Sequence, residues 1–518
     1  MTTVVIAGAG SAGCVLAARL SEDPDVRVVL LEAGPDYPTL GDTPDDVRNA
    51  SQLFGSVHDW GYTAEDHVDL SSDGTTSAVV EQGTVPVLRG KVVGGSSAVN
   101  ATNALRARRS DFDQWAALGN DLWTWDQVLP YFRRLEDDPA GGPDHGSGGP
   151  VPIRRFAGNE LRPVMATILA ACAEQGLAVV DDLNTADGRG AGPVPLNQIA
   201  GIRQSMAVCY LEGARQRPNL EIRPDVLVDR VLIEDGSARA VVLDTGERVD
   251  ADVVVLSAGA IGSPAILLRS GVGPAADLCQ LDIPVLVDLP AVGRGLRDHP
   301  IVFLTYETDP ASIGELTPPL QVIVTLSSTG NQETGPIDLN LVPFTPDAKS
   351  LIAAVGLMTP TSLGSVRLPS RDPADAPHIL LNLLEHPDDL GRMMRGLKMA
   401  REVFSAPALR KYLRGETWPG PVDDPSALVQ AVQRSKNTYA HATSTCAMGP
   451  DGAPWAVTDQ RGRVRGVDGL FTVDASIMPA IPCVPTNLTT IMLGERCAEF
   501  VKEALAARSA VAAAELAG

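Results

Sequence analysis

The chain has 518 residues, of which 44% are hydrophobic and 20% are charged, the composition of a globular protein with a large core. This length predicts about two to four domains, or two large interwoven ones. With 42 Lys and Arg against 64 Asp and Glu, the net charge is −22, so nucleic-acid phosphates and anionic membrane surfaces would repel the protein. Composition therefore argues against nucleic-acid partners and peripheral membrane binding.

The cysteines and the apolar segments bear on metal sites and location. Seven cysteines are scattered along the chain without any C-x-x-C spacing, which argues against a disulfide framework and against a zinc or iron–sulfur site. No targeting segment precedes the first apolar run, and no stretch reaches the roughly 18–20 apolar residues of a transmembrane helix. We expect a cytoplasmic protein with no membrane span and no metal.

Residues 2–34, TTVVIAGAGSAGCVLAARLSEDPDVRVVLLEAG, predict a strand, a helix and a second strand. Gly8, Gly10 and Gly13 between the first two elements form G-x-G-x-x-G. In such a turn the first glycine permits the tight bend, the second lets the backbone approach a pyrophosphate, and the third lets the helix pack on the strand. The helix N-terminus then presents free N–H groups to the phosphates.

Glu32 ends the second strand, 19 residues after Gly13. An acid at that place accepts hydrogen bonds from the ribose hydroxyls of an adenine dinucleotide and disfavours the 2′-phosphate of NADP. The complete strand–helix–strand–acid order predicts a dinucleotide site. These residues alone leave FAD and NAD as alternatives.

Residues 89–115, RGKVVGGSSAVNATNALRARRSDFDQW, predict a second glycine-rich loop that exposes its backbone to a ligand. The next segment, GGPDHGSGGP at 141–150, is typical of a loop, and LRPVMATILAACAEQG after it predicts a helix. Further on, LQVIVTL and IDLNLVPF predict strands. PHILLNLLEHPDDLGRMMRGLKMAREVF then predicts a loop followed by an amphipathic helix, and the alanine-rich C-terminus predicts an exposed helix or a fraying tail.

Several blocks in order resemble the glucose–methanol–choline (GMC) oxidoreductases, a family of FAD enzymes that act mostly on alcohols. RGKVVGGSSAVN resembles the family's first signature and GAIGSPAILLRSGVGP its second. LPAVGRGLRDHP, HATSTCAMG, FTVDASIMPAIP and TTIMLGERCAEF are similar to later elements. The blocks run from residue 4 to about residue 505, so the resemblance covers nearly the whole chain.

The resemblance implies an α/β fold, α+β overall, in which a substrate-binding domain with an antiparallel sheet is inserted into a Rossmann-like FAD-binding domain. The FAD-binding domain is expected at residues 1–155, 201–305 and 450–518. The substrate-binding domain is expected at 156–200 and 306–449. Some family members attach FAD covalently through a histidine at the position of Val99, so non-covalent FAD is expected here.

The family's cofactor contacts map onto residues of this chain. Trp60 matches an aromatic residue near the flavin, although core packing explains it equally well. The full set implied by the resemblance is Gly8, Gly10, Ser11, Ala12, Gly13, Glu32, Ala33, Trp60, Arg89, Gly94, Gly95, Asn100, Ala101, Val228, Asp474, Ala475, Asn487 and Leu488.

His441 in HATSTCAMG matches the histidine that faces the flavin in this family. Alone, it would be explained best as a core histidine. The resemblance implies a general base that takes the hydroxyl proton while the substrate carbon gives a hydride to flavin N5. His299, in RDHP, matches a scaffold element and is expected to be structural.

The usual second catalytic histidine or asparagine falls on Pro485, which offers no hydrogen-bonding side chain. Three explanations of this difference are open. Asn487 replaces the missing second catalytic residue, His441 acts as the only catalytic residue, or the reaction is not an alcohol oxidation. We expect Asn487 in the site as the second catalytic residue.

The expected function is FAD-dependent oxidation of a small alcohol to an aldehyde or ketone, with oxygen, a quinone or a redox protein as electron acceptor. The alternative is a lyase of the hydroxynitrile-lyase type on the same fold, in which His441 does acid–base work and FAD is structural. Neither the alcohol nor the acceptor follows from the sequence.

Overall fold

The computed structural model describes residues 1–53, 55–69, 80–315, 317–422 and 424–517. Its first sheet has five parallel strands, and short apolar runs such as VVVL form them because both faces are covered. In spatial order the strands are Leu220–Arg223, Val26–Leu31, Thr2–Ala7, Val253–Leu256 and Leu470–Thr472. The predicted N-terminal strand, helix and strand are confirmed, with Glu32 directly after the second strand.

Two helices begin at the carboxyl ends of neighbouring strands of this sheet. Helix Ser11–Leu20 follows the glycine turn and packs against the C-terminal helix Asn487–Ala517. A Cβ atom on Gly13 would overlap the carbonyl oxygen of Gly8, so only glycine allows this helix to lie so close to the strand end. Helix Gly259–Arg269 starts at the carboxyl end of the neighbouring strand.

A second sheet, here called the roof sheet, is antiparallel and has seven strands. In spatial order six of them are Leu413–Trp418, Pro300–Thr308, Ser350–Leu357, Leu339–Asp347, Val322–Leu326 and Gly190–Pro193, and Asn437–Thr438 pairs beside Pro300–Thr308. One face packs on helices Pro163–Glu174 and Pro387–Phe404. The other face belongs to the core shared with the first sheet.

Two smaller sheets complete the strands that frame the site. The mixed sheet contains Arg294–Leu296, Gly364–Arg367, His378–Leu380, Tyr62–Asp69 and Val80–Val87. The other is the meander Val228–Glu234, Ser237–Leu243 and Arg248–Asp250. The segment expected as a loop before the amphipathic helix thus contains strand His378–Leu380, which is stabilised by pairing with Gly364–Arg367.

The remaining longer helices are Arg109–Ala117, Trp125–Leu135 and Pro425–Ser435. The parallel and antiparallel sheets confirm the predicted α/β class with a second, antiparallel layer. The domain boundary expected at residue 305 falls inside strand Pro300–Thr308, so a division before residue 300 would keep the roof sheet whole. Among the described residues, no helix combines the length and apolarity that a membrane crossing requires.

Candidate active site

A cavity of about 590 Å³ lies between the carboxyl ends of the first sheet and the roof sheet. Most of the expected site residues are on its wall: Gly8, Gly10, Ser11, Ala12, Glu32, Ala33, Trp60, Arg89, Gly95, Asn100, Ala101, Val228, His441, Asp474, Ala475 and Asn487. Three expected residues are not: Gly13 packs under the Gly8 carbonyl, the Gly94 N–H donates to the Ala9 carbonyl, and Leu488 is buried in the core. These three residues support the residues of the cavity wall without facing the cavity themselves.

The glycine turn forms one end of the cavity. Gly8 has a φ of +104°, which a residue with a side chain rarely adopts. A Cβ on Gly10 would meet no atom nearer than the Ser257 carbonyl oxygen at 3.8 Å, so the backbone here faces open space. Helix Ser11–Leu20 begins without a side-chain cap, leaving its first N–H groups directed at an anionic ligand.

Glu32 closes the same end. Its carboxylate accepts hydrogen bonds from the N–H groups of Ala9 and Gly34 at 2.9 and 3.0 Å. Burial nevertheless raises the pKa of Glu32 to about 7, because a carboxylate loses its hydration there. A ligand hydroxyl donating to Glu32 would replace part of that hydration, as the ribose of a dinucleotide can.

Arg89 brings a buried cation to the cavity wall. Its Nε and Nη2 atoms are buried and have no hydrogen-bond partner within the described part of the chain. Burial lowers the pKa of Arg89 although the Asp298 and Asp59 carboxylates act in the opposite direction, and buried donors without hydrogen-bond partners are costly. Such donors fit a bound group that carries acceptor atoms.

Asp474 and Asn487 fix the wall between these features. The Asp474 carboxylate accepts from the Gly259 N–H, the Ser263 hydroxyl and the Ser476 N–H. The Asn487 side-chain oxygen accepts from the Ser11 hydroxyl at 2.8 Å. Asn487 therefore joins the C-terminal helix to the start of helix Ser11–Leu20.

Trp60 lies on the wall with its ring stacked on Tyr62, at 5.5 Å between centroids and 9° between planes. The Lys91 ammonium stands 4.8 Å from the Trp60 ring centroid. The indole is thus held on two sides while it still faces the cavity.

His441 occupies the roof end of the cavity, and His299 contacts it directly. The two Nδ1 atoms are 2.9 Å apart, and the Asp298 carboxylate accepts from the backbone N–H groups of both residues at 2.7 and 2.8 Å. The Tyr439 ring lies nearly parallel to the His441 ring, at 4.7 Å and 12°. In the described residues nothing hydrogen-bonds to His441 Nε2.

Both imidazoles are neutral near pH 7. Burial, then His299, then Arg89 hold the pKa of His441 well below its usual range. Burial likewise lowers the pKa of His299 to about 3. His441 can therefore receive a proton at Nε2, which is what a general base must do.

The structure places His299, not Asn487, against His441. Sequence reasoning missed this contact, as it missed Tyr439 and Asp298. The available signal was the histidine in RDHP, but 142 positions separate it from His441 and no local pattern links them. The Pro485 ring lies on the wall and adds no hydrogen-bonding group.

Comparison with known proteins decides the family. Residues 2–301 and 360–494 match the family models described as GMC oxidoreductase. The chain belongs to the GMC oxidoreductase family. The resemblance drawn from its sequence blocks is confirmed.

This GMC oxidoreductase is similar to named relatives over nearly its whole length. An oxygen-dependent choline dehydrogenase of Paraburkholderia phymatum is 37% identical, over 96% of this chain and 92% of the relative. The crystal structure of pyridoxine 4-oxidase from Mesorbium loti is 31% identical, with a TM-score of 0.87 over 97% and 99% of the two chains. An FAD-dependent oxidoreductase from Chaetomium thermophilum is 26% identical, with a TM-score of 0.86 over 97% and 99%.

Membership of this family and the FAD-dependent relative support FAD as the cofactor of this GMC oxidoreductase. The cavity fits that group: an open glycine turn, an uncapped helix start and Glu32 suit the ADP half. The unpartnered Arg89 nitrogens suit a polar ring system beyond it.

Proposed function

We propose that the protein oxidises the CH–OH group of an alcohol to an aldehyde or ketone. The O–H proton goes to His441 Nε2, and the C–H bond breaks with its electron pair leaving as hydride. FAD, when bound, supplies the acceptor for that hydride. The observation that carries the proposal is the neutral His441, paired at Nδ1 with His299 and unpaired at Nε2 on the cavity wall.

His299 sets the tautomer of His441 in this proposal. The His299 Nε2 atom is buried and makes no hydrogen bond that meets the usual distance and angle limits. The backbone carbonyls of Met358 and Pro482 nevertheless interact with the His299 ring and favour an N–H on it. With its hydrogen on Nε2, His299 accepts at Nδ1. His441 then donates its own Nδ1–H and keeps its Nε2 lone pair for the hydroxyl proton.

Two further contacts hold the His441 ring in place. Asp298 fixes the backbones of both histidines, and Tyr439 covers one face of the His441 ring. The Tyr439 hydroxyl interacts in turn with Asn340. A base held this way loses little freedom when the alcohol binds, which is how positioned groups accelerate proton transfer.

The same family pattern supports the remaining proposals. FAD is held non-covalently, because Val99 stands where some members carry the linking histidine. The first sheet with its helices serves the cofactor and the roof sheet serves the alcohol. The seven cysteines, all within the described residues, are free thiols, in keeping with a cytoplasmic setting.

Anaerobic mixing of the purified FAD-loaded protein with a panel of alcohols, including choline and pyridoxine, tests the proposal. We expect at least one alcohol to bleach the visible absorbance of the flavin, because hydride transfer reduces it. Oxygen, a quinone or a redox protein added afterwards identifies the electron acceptor by the rate of reoxidation. A flavin that stays oxidised with every alcohol contradicts the proposal.

A lyase is the second candidate function. It is supported by Pro485, which stands where an alcohol-oxidising member of the family usually has its second catalytic residue. The position expected to carry a second polar catalytic group has none, while His441 can still exchange a proton. Cleavage of a cyanohydrin with an unchanged flavin spectrum would favour the lyase over the oxidoreductase.

A further inference from the structure

The roof sheet presents a continuous apolar surface to the cavity next to His441. Phe303, Ala354 and Val342 form one row across three neighbouring strands, because Ala354 pairs with both Phe303 and Val342. Phe344 and Leu320 extend the surface by their own pairing. None of these side chains can donate or accept a hydrogen bond.

This surface adjoins the proposed base through the backbone. Strand Asn437–Thr438 pairs with the start of strand Pro300–Thr308, and the Tyr439 N–H donates to the His299 carbonyl at 2.9 Å. His441 follows two residues later, so the roof sheet continues the cavity wall from His441 and offers a surface for the body of a molecule whose hydroxyl lies at His441.

The small Ala354 makes a recess in that surface. Neighbouring strands are about 4.8 Å apart, so Phe303 and Val342 stand about 10 Å apart across Ala354. A recess of that width between larger side chains matches a flat ring or a branched alkyl group.

The charges around the cavity oppose a cationic guest at this end. The charged side chains of the wall are Glu32, Arg89, Lys91, Arg269, Asp375 and Asp474, and none lies on the roof sheet. Asp474 is already bonded to the chain, and Glu32 closes the nucleotide end. Two charged groups lie close to His441: the cation Arg89 and the Asp298 carboxylate, which is not on the cavity wall, accepts from the backbone N–H groups of His441 and His299 and is opposed by Arg89.

From these contacts we infer that the substrate is an uncharged alcohol whose apolar body, an aryl or branched alkyl group, fills the recess over Ala354 and that a cationic alcohol is excluded. This inference rests on the proposed alcohol oxidation. An ammonium group would lose its hydration against these side chains and could gain only cation–π contact with Phe303 and Phe344, because no charged wall residue lies on the roof sheet.

A pair of alcohols of equal shape isolates the effect of charge. Choline and its carbon isostere 3,3-dimethylbutan-1-ol differ only in the nitrogen and its charge. With the FAD-loaded protein under anaerobic conditions, we expect kcat/KM for flavin reduction to be at least about 100-fold higher for the isostere. Equal or faster reduction by choline overturns the inference but leaves the proposed function intact, whereas no reduction by any alcohol removes both.

Substitutions in the recess test where the apolar body lies. Ala354→Leu should lower the ratio of kcat/KM for benzyl alcohol to kcat/KM for ethanol at least about 10-fold. If that variant folds poorly or loses its flavin, Val342→Ala widens the same recess and should raise kcat/KM for a naphthyl alcohol relative to benzyl alcohol. Identical selectivity in a folded variant places the substrate elsewhere and contradicts the inference.

Discussion

Two histidines of this protein differ in charge, His441 being neutral and His145 protonated, because their neighbours differ. His441 lies beside neutral His299 and the cation Arg89, which keep it unprotonated. His145 lies among three carboxylates, with Asp138 and Asp182 at 3.2 and 2.8 Å from its ring nitrogens, and they raise its pKa to about 11. The charge of a buried imidazole is thus decided by the groups around it.

The His145 cluster is balanced only when His145 is protonated. Glu136, Asp138 and Asp182 carry three negative charges, and Arg106, Arg155 and the imidazolium carry three positive ones. The oxygen and nitrogen atoms of Glu136, Asp138 and His145 lie close enough together to hold a metal ion. The two arginines and the imidazolium together already compensate the carboxylates, so the cluster is a structural ion network.

Removing the imidazole of His441 tests the catalytic half of this contrast and has the largest expected effect. His441→Ala should retain FAD and slow flavin reduction by about 10²–10⁴-fold, since a positioned base contributes that much. Stopped-flow absorbance under anaerobic conditions gives the rate.

His378 provides the matched control, because its side chain is 60% exposed and lies outside the cavity. His378→Ala should reduce flavin at the wild-type rate. If His441→Ala binds a full complement of flavin and its flavin is also reduced at the wild-type rate, His441 is not the base.

Breaking the ion network around His145 tests whether that network stabilises the fold. His145→Gln keeps much of the side-chain volume but leaves the carboxylates one cation short, and we expect a loss of about 3–5 kcal/mol in the free energy of unfolding. Urea titration followed by tryptophan fluorescence measures it. His378→Gln should be neutral, and equal stability of the two variants would show that the network contributes nothing.

The two histidines also show what the sequence could predict. The glycine turn and Glu32 follow from a motif in which local order fixes the geometry, and His441 follows from the family resemblance. The structure puts Gly8, Gly10, Glu32 and His441 on one cavity wall. Contacts between distant segments escaped prediction: Asn487, expected as the second catalytic residue, binds Ser11, while His299 lies beside His441. A local pattern carries no information about which loops meet.

The apolar roof was beyond prediction for a related reason. IDLNLVPF was predicted as a strand, but which of its residues face the cavity depends on the register with Ser350–Leu357. A shift of one residue would turn Val342 and Phe344 to the other face. Strand identity was therefore predictable, and the surface that selects the substrate was not.

Replacing His299 asks whether His441 needs its neighbour. His299→Leu removes the acceptor at Nδ1, and we expect flavin reduction to slow by roughly 10-fold because His441 loses its preferred tautomer. His299→Asn, whose side-chain oxygen can replace that acceptor, should recover most of the rate. A purely structural role would instead lower thermal stability in both variants without a difference between them in rate.

The smallest expected effect is a pH dependence that separates the two histidines. Because the pKa of His441 lies well below the ordinary value of about 6.5, its base form persists as the pH falls, and flavin reduction at pH 6 should stay within about twofold of that at pH 8.

The raised pKa of His145 acts in the opposite sense. The stabilisation of the fold by protonated His145 is complete below about pH 6.5 and is lost as the pH rises through about 11. The stability gap between wild type and His145→Gln should therefore shrink from pH 6 to pH 10, while the rate of flavin reduction hardly changes between pH 6 and pH 8. A rate that halves near pH 6.5 would mean that His441 titrates like an exposed histidine, and the contrast between the two sites would then disappear.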